Sequence, residues 1–144
     1  MGTNNLGQLG VGDSTSKSSS LIKVEIPSYV STPTRVFAFK DISAFVSSEQ
    51  ELYMWGAIHD TRSDTSNFPP KELILFFILE VYWKPFQYEL DDGTGVNRVA
   101  GSGNQLFVLD SHGKPYIWDL GASSKFKRYS MTDNECFGEI ATGK

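Results

Sequence analysis

Few segments of this chain carry residues with the spacing that enzymatic chemistry requires. Residues Gly138 to Lys144 read G-E-I-A-T-G-K, which has the glycine and lysine spacing of a phosphate-binding loop. Such a loop needs a Ser or Thr after the lysine to hold magnesium, a strand before it and a helix after it. The residues before Gly138 are polar, so we interpret Ile140 to Gly143 as the start of a repeated unit.

Potential metal ligands and nucleophiles are scattered along the chain. His59 and His112 both fall in predicted turns, and Cys136 is the single thiol. A zinc site needs three or four ligands in a recognisable spacing, which these residues do not provide. Cys136 follows Glu135 and lacks the basic neighbours that activate a thiolate. We therefore predict solvated loop histidines and an inert cysteine.

The acidic residues also favour structural interpretations. Asp91 and Asp92 precede Gly-Thr-Gly, which predicts a solvated turn rather than a general acid. The segment from Gly10 to Asp13 resembles one turn of a calcium-binding nonapeptide repeat, but such sites need tandem copies. We expect no catalytic residue, no metal and no cofactor, and we expect that the protein is not an enzyme.

Charge and hydropathy exclude further classes of function. The net charge is −4, so nothing draws the whole chain to nucleic acid or to an anionic membrane. The segment from Lys125 to Tyr129 alternates bases with aromatics, which favours an edge strand over a single-stranded nucleic-acid site. The longest apolar run, residues 73–83, is too short to span a bilayer. One cysteine and no signal peptide predict an intracellular protein, cytoplasmic or nuclear.

The first residues form a glycine-rich loop. Residues 2–13 read G-T-N-N-L-G-Q-L-G-V-G-D, in which four glycines and several Asn or Asp residues rule out a helix or a long strand. We predict a tightly wound loop in which Gly10 and Gly12 adopt backbone conformations that are costly for other residues. Leu6 and Leu9 should point away from water.

Two later segments repeat each other without a gap. Residues 35–56 and 98–119 align at a constant offset of 63, so that Val36 matches Val99, Val46 matches Leu109, Tyr53 matches Tyr116 and Trp55 matches Trp118. Each copy predicts three short strands: Val36–Phe39, Ser43–Ser47 and Leu52–Trp55 in the first, and Val99–Gly101, Gln105–Leu109 and Tyr116–Trp118 in the second. Turns are predicted at Ser48–Glu51 and Asp110–Pro115.

The pattern is lost between the two copies. Residues 59–70 form a polar loop, and residues 73–83 read L-I-L-F-F-I-L-E-V-Y-W. Their many β-formers favour a strand that Pro85 stops, with a buried helix after Pro69-Pro70 as the alternative. Residues 89–97 should form a loop.

The glycine-rich loop resembles the signature of the regulator of chromosome condensation repeat family, and the repeated Tyr-x-Trp segments resemble its closing strand. The matching residues are Gly2, Asn4, Gly7, Gln8, Leu9, Gly10, Gly12, Asp13, Trp55, Gly56 and Trp118. The family histidine corresponds to Ile42 and Gln105, and the closing Trp-Gly becomes Trp118-Asp119, so both copies are degenerate.

The resemblance implies a seven-bladed β-propeller. We therefore expect an all-β partial propeller of about two four-stranded antiparallel blades, with units at 2–56 and 57–121 and the start of a third at 122–144. Leu6, Leu9, Trp55 and Trp118 should seal contacts between blades.

The same resemblance implies a scaffold for protein–protein interaction. Its alternatives are a Ran-type guanine-nucleotide exchange regulator and an accessory propeller of a ubiquitin ligase. The expected partners are proteins, together with the remaining blades or a second copy of the chain; nucleic acid and membranes are not expected. The residues do not identify the partner or the propeller face that binds it.

Overall fold

The chain folds into β-sheets, as the sequence predicts. A computed structural model describes residues 1–59, 79–102, 105–119, 125–129 and 137–141. The strands in these residues are β1 (Gly2–Thr3), β2 (Lys17–Ser18), β3 (Pro33–Phe39), β4 (Ile42–Ser47), β5 (Leu52–His59), β6 (Leu79–Tyr88), β7 (Val96–Ser102), β8 (Gln105–Asp110), β9 (Pro115–Asp119) and β10 (Lys127–Arg128). Within the described ranges, no helix is long and apolar enough to cross a membrane.

Two four-stranded antiparallel sheets make up most of the fold. The first has the order β3-β4-β5-β6 and the second the order β10-β9-β8-β7, while β1 and β2 form a separate two-stranded ladder. In each sheet, neighbouring strands follow one another in the chain, and short turns join β3 to β4, β4 to β5 and β8 to β9. Each sheet is therefore a meander, the arrangement of a propeller blade. The three strands predicted in each repeat are present, and the fourth strand of each sheet completes the blade.

The main core lies between the two sheets. Alternate residues of β4 and β5 face it, including Ile42, Ala44, Val46, Leu52 and Met54, and they meet Val99, Leu106, Val108, Tyr116 and Trp118 of the second sheet. Because side chains alternate between the faces of a strand, one face of each sheet is committed to this contact. Phe126 and Tyr88 enclose Trp118, with ring centroids 5.2 and 5.1 Å from its own.

A second apolar cluster covers the opposite face of the first sheet. Phe45, Tyr53 and Trp55 are buried there, and Phe45 stacks on Tyr53 with ring centroids 4.8 Å apart. Ile26 and Val30, from the irregular segment that precedes β3, pack against this cluster. The N-terminal residues therefore occupy the side of the first sheet that faces away from the second sheet.

The prediction that Pro85 ends the β-prone run is wrong. β6 continues through Pro85 to Tyr88, whereas residues 73–78 of the predicted strand or helix lie outside the described residues. Gly56 pairs with Tyr82 and Met54 pairs with Phe86, so residues 83–85 are accommodated at a register shift opposite Trp55. β6 is also the edge of its sheet. Proline is tolerated at an edge or a bulge because no ladder hydrogen bond is lost there.

Candidate functional site

Asn4 organises the glycine-rich loop. Its side chain is fully buried and donates hydrogen bonds to the carbonyls of Gly12 at 2.9 Å and Thr15 at 2.7 Å, while its Oδ1 accepts the backbone N–H of Leu9 at 2.9 Å. A buried amide costs free energy unless its polar atoms are paired, and here they are paired within the loop. One side chain thus fixes the fold of residues 4–15.

Gln8 attaches this loop to the first sheet. Its backbone carbonyl accepts two hydrogen bonds, from Ser43 Oγ at 2.8 Å and from Trp55 Nε1 at 3.1 Å. The backbone N–H of Gly12 donates to the carbonyl of Trp83 at 3.0 Å. The loop is therefore seated against β4, β5 and β6, at Ser43, Trp55 and Trp83. Asn4 belongs to the predicted motif. The role of Ser43 could not be predicted, because a single serine on a strand has no sequence pattern that distinguishes it.

Close contact with Trp55 explains the glycine at position 10. Gly10 has φ +70°, and a Cβ built on it would lie 2.6 Å from Trp55 Nε1. Gly12 has φ +91°, so both glycines adopt the left-handed conformations predicted for them. Leu6 and Leu9 are half-buried, and their role between blades stays a prediction.

The two tryptophans of the repeat occupy matching places in the two sheets. Trp55 lies on β5 and Trp118 on β9, each the third strand of its meander, and both are buried. Gly56 follows Trp55 and has φ +107°. A Cβ built on Gly56 would overlap the carbonyl oxygen of Asp41. Asp119 takes the corresponding place after Trp118. Of the motif residues at the start of the chain, Gly2 lies on β1 and Asp13 is exposed.

A second repeated feature closes the turns at one rim of the sheets. Ser47 and Asp110, 63 residues apart, are both buried polar residues at the ends of β4 and β8. Ser47 Oγ accepts the backbone N–H groups of Glu49 and Glu51, each at 3.2 Å, and Asp110 Oδ1 accepts those of His112 and Lys114, each at 2.8 Å. The sequence offset could have identified this pair, although the two residue types differ.

Backbone hydrogen bonds join these turns and the intervening loop into one rim. Val96 N–H donates to the carbonyl of Gln50 at 2.7 Å, and Ser111 N–H donates to the carbonyl of Gly95 at 2.7 Å. The β4–β5 turn, the β6–β7 loop and the β8–β9 turn are therefore linked in series. We call these three connections, residues 48–51, 89–95 and 111–114, the acidic rim.

Most of the exposed charge on the acidic rim is negative. Its exposed or half-exposed carboxylates are Glu49, Glu51, Glu89, Asp91 and Asp92. The first three line a cleft of about 310 Å³ between the β4–β5 turn and the β6–β7 loop. Asp91 is 2.8 Å from Lys125 Nζ. The rim therefore offers carboxylates on a backbone held by hydrogen bonds.

Tyr116 fixes the β6–β7 loop to the second sheet. Its hydroxyl donates a short hydrogen bond to Asp92 Oδ2, and Asp92 Oδ1 accepts Thr94 Oγ1 at 2.7 Å. Both hydrogen bonds lower the pKa of Asp92, and the bond from Tyr116 has the larger effect. Burial, followed by the bond to Asp92, raises the pKa of Tyr116 to about 12. The Asp91-Asp92 pair therefore serves loop structure, in agreement with the predicted turn.

In the part of the chain that the structure describes, the other side chains considered for chemistry form no common site. His112 is exposed beside Ser111, whereas Cys136 and the side chain of His59 lie outside the described residues. Residues 138–141 of the phosphate-loop pattern form no strand, and 142–144 are not described. Of the edge strand predicted over Lys125 to Tyr129, Lys127 and Arg128 form β10 at the edge of the second sheet, and Phe126 is buried beside them. Among the described residues, no three His, Cys, Asp or Glu side chains group as a metal site.

Solved structures share this fold. The chain matches the crystal structure of human WBSCR16 with a TM-score of 0.69 and 18% identity, over 99% of this chain and 37% of that one. It matches Saccharomyces cerevisiae Prp20p, characterised with its binding to Gsp1p and histones, with a TM-score of 0.66 and 16% identity, over 92% and 34%. It also matches the structure of Kap60 bound to yeast RCC1 (Prp20), with a TM-score of 0.63 and 17% identity, over 92% and 33%.

These neighbours are RCC1-like propeller proteins, so the fold is that of a partial RCC1-like propeller. The chain spans about a third of the length of each solved structure that it matches. No family model matches the sequence, and no curated protein matches it either.

Proposed function

We propose that the chain is a protein–protein interaction scaffold, part of a propeller of the regulator of chromosome condensation type, that binds a basic partner at the acidic rim. The observation that carries this proposal is the series of backbone hydrogen bonds from Gln50 to Val96 and from Gly95 to Ser111. Loops that are already ordered lose little entropy on binding, so their exposed side chains make an effective interaction surface.

The charge of the rim and one structural neighbour support the basic partner. Glu49, Glu51 and Glu89 line one cleft, and opposite charge on a partner speeds association and fixes its orientation. Prp20p, which has the same fold, was characterised for binding to histones. We further propose that the protein is intracellular and that its repeat units run over 2–56, 57–121 and 122–144.

Binding of purified core histones to the intact chain tests the proposal. We expect the affinity to fall as salt rises, because exposed charge pairs are screened. The double variant Glu49→Lys and Glu89→Lys should weaken binding by roughly tenfold or more. The double variant Asp13→Lys and Glu25→Lys, which reverses two exposed carboxylates of the N-terminal segment, is the matched control and should bind like the native chain. Equal binding by all three proteins would contradict the role of the rim.

A guanine-nucleotide exchange regulator is the second candidate, because Prp20p was also characterised for binding to Gsp1p. Its test is the release of labelled GDP from a Ran-type small GTPase in the presence of the chain. A scaffold should leave the release rate unchanged. Acceleration that depends on the concentration of the chain would favour the exchange regulator instead.

A further inference from the structure

The β6–β7 loop contains the single Asp-Gly sequence of the chain, Asp92-Gly93. Both residues are exposed, and nothing lies within 4 Å of a Cβ built on Gly93. An aspartate that precedes glycine is prone to a backbone rearrangement, because a residue without a side chain lets its nitrogen approach the preceding carboxyl group. The packing around this pair therefore gives it no steric protection.

The rearrangement needs only water as a co-reactant. The backbone nitrogen of Gly93 attacks Cγ of Asp92, so that an N–Cγ bond forms and the Cγ–OH bond of the protonated carboxyl group breaks. The amide proton leaves with that hydroxyl group as water, and a succinimide ring remains. When a second water molecule opens the ring at the main-chain carbonyl of Asp92, the chain runs through Cβ and Cγ, and the residue becomes isoaspartate.

Hydrogen bonds occupy both reacting groups in the structure. Asp92 Oδ2 accepts the hydroxyl of Tyr116, and Asp92 Oδ1 accepts Thr94 Oγ1 at 2.7 Å and the Thr94 backbone N–H at 3.2 Å. The Gly93 N–H donates to the carbonyl of Leu90 at 2.9 Å. The carboxylate is therefore held towards Thr94 and Tyr116, whereas the nitrogen is held towards Leu90, and attack requires these bonds to break.

The same bonds also disfavour the reactive form of the carboxyl group. The bonds from Tyr116 and Thr94 lower the pKa of Asp92, which favours the ionised carboxylate. Loss of water requires the protonated carboxyl group, because a carboxylate has no hydroxyl group to lose. Position and charge therefore act in the same direction.

We propose that Asp92-Gly93 is a site of isoaspartate formation whose rate is set by Tyr116. While the tyrosine hydroxyl holds the carboxylate, the site is unreactive, and loss of that bond starts the rearrangement. The rearrangement adds one atom to the main chain close to Gly95, whose carbonyl accepts the Ser111 N–H at 2.7 Å. Isomerisation therefore detaches the β6–β7 loop from the second sheet and loosens the acidic rim.

Incubation of the native chain at neutral pH tests the proposal. Peptide mapping with electron-transfer fragmentation quantifies isoaspartate at each position, and Asp13, exposed and followed by Ser14, is the internal reference. In guanidinium chloride, Asp92 should rearrange faster than Asp13, because glycine hinders the attack less than serine does. In the folded chain, Asp92 should rearrange more slowly than Asp13. The opposite order in either state would overturn the proposal.

Two variants separate the tyrosine bond from global stability. Tyr116→Phe removes the hydroxyl and should raise the rate at Asp92 by roughly fivefold or more, the factor expected for one lost hydrogen bond. Gly10→Ala disturbs the contact with Trp55, but it leaves Tyr116 and Asp92 in place and should leave the rate at Asp92 near the native value. Circular dichroism checks that each variant is folded. An unchanged rate in Tyr116→Phe, or equal acceleration in Gly10→Ala, would overturn the proposal.

Discussion

At the scale of single residues, Gly10 combines backbone strain with a close contact. Any side chain there must adopt φ near +70° and must also displace the indole of Trp55, which donates to the carbonyl of Gln8. We expect Gly10→Ala to lower the free energy of unfolding by roughly 2–3 kcal/mol, the upper part of the range for strained positions. Urea unfolding followed by tryptophan fluorescence measures the change.

Gly93 provides a matched control for this prediction. It has the same φ of +70°, but nothing lies within 4 Å of a Cβ built on it. Gly93→Ala should therefore cost only the backbone strain, about 1 kcal/mol. Equal urea midpoints for the two alanine variants would mean that the loop does not press on Trp55.

The hydrogen bond between Tyr116 and Asp92 predicts a pH dependence. The folded state lowers the pKa of Asp92 below its ordinary value, so Asp92 contributes stability above that ordinary value and loses it as the pH falls through the lower folded pKa. Tyr116→Phe should lower the free energy of unfolding by roughly 1 kcal/mol near pH 7. The difference in this free energy between the variant and the native chain should shrink below about pH 4. Urea midpoints between about pH 3 and pH 7 measure it. A constant difference across this range would contradict the link to Asp92.

At the scale of elements, two buried polar side chains hold the hairpin turns of the acidic rim. Asp110→Ala leaves the N–H groups of His112 and Lys114 without their acceptor and should destabilise the chain by roughly 1–3 kcal/mol. Asp110→Asn keeps an oxygen in place and should cost much less. Ser48→Ala, in the exposed part of the other turn, is the control and should leave the thermal midpoint unchanged. A loss in Asp110→Asn as large as in Asp110→Ala would show that the charge, not the turn, matters.

Strands between two turns of the repeated unit could be predicted from the sequence, whereas pairing between distant segments could not. β4 and β8 match their predicted bounds closely because a short apolar run lies between two turns in each. β5 extends to His59 because β6 pairs with it, a contact between residues distant in sequence. Pro85 misled the prediction because its effect depends on lying at an edge and a register shift, which only the assembled sheet determines. Likewise, the packing of Trp55 against Gly10 was not visible, although both residues were part of the predicted motif.

At the scale of the whole molecule, repetition in the sequence indicated the architecture before any contact was known. The constant offset of 63 places Trp55 and Trp118, Ser47 and Asp110, and Tyr53 and Tyr116 at equivalent positions in two sheets. The acidic rim was not predicted, because about 40 residues separate its first loop from its second and about 15 separate the second from the third. The loops are joined by the backbone hydrogen bonds from Val96 to Gln50 and from Ser111 to Gly95. Repeats thus predict the unit, while the surface between units depends on how the units pack.

The exposed apolar residues predict the behaviour of the isolated chain. Leu21, Tyr29 and Val36 are each more than three-quarters exposed. Association between chains removes such apolar surface from water, which favours oligomers over the monomer. We expect light scattering to give a mass that rises above 16.0 kDa as the concentration increases. The triple variant Leu21→Ser, Tyr29→Ser and Val36→Thr should shift this association to roughly tenfold higher concentration without lowering the thermal midpoint. A mass that stays at 16.0 kDa with sharp cooperative unfolding would instead mean that these two sheets and their N-terminal loop close a self-sufficient domain.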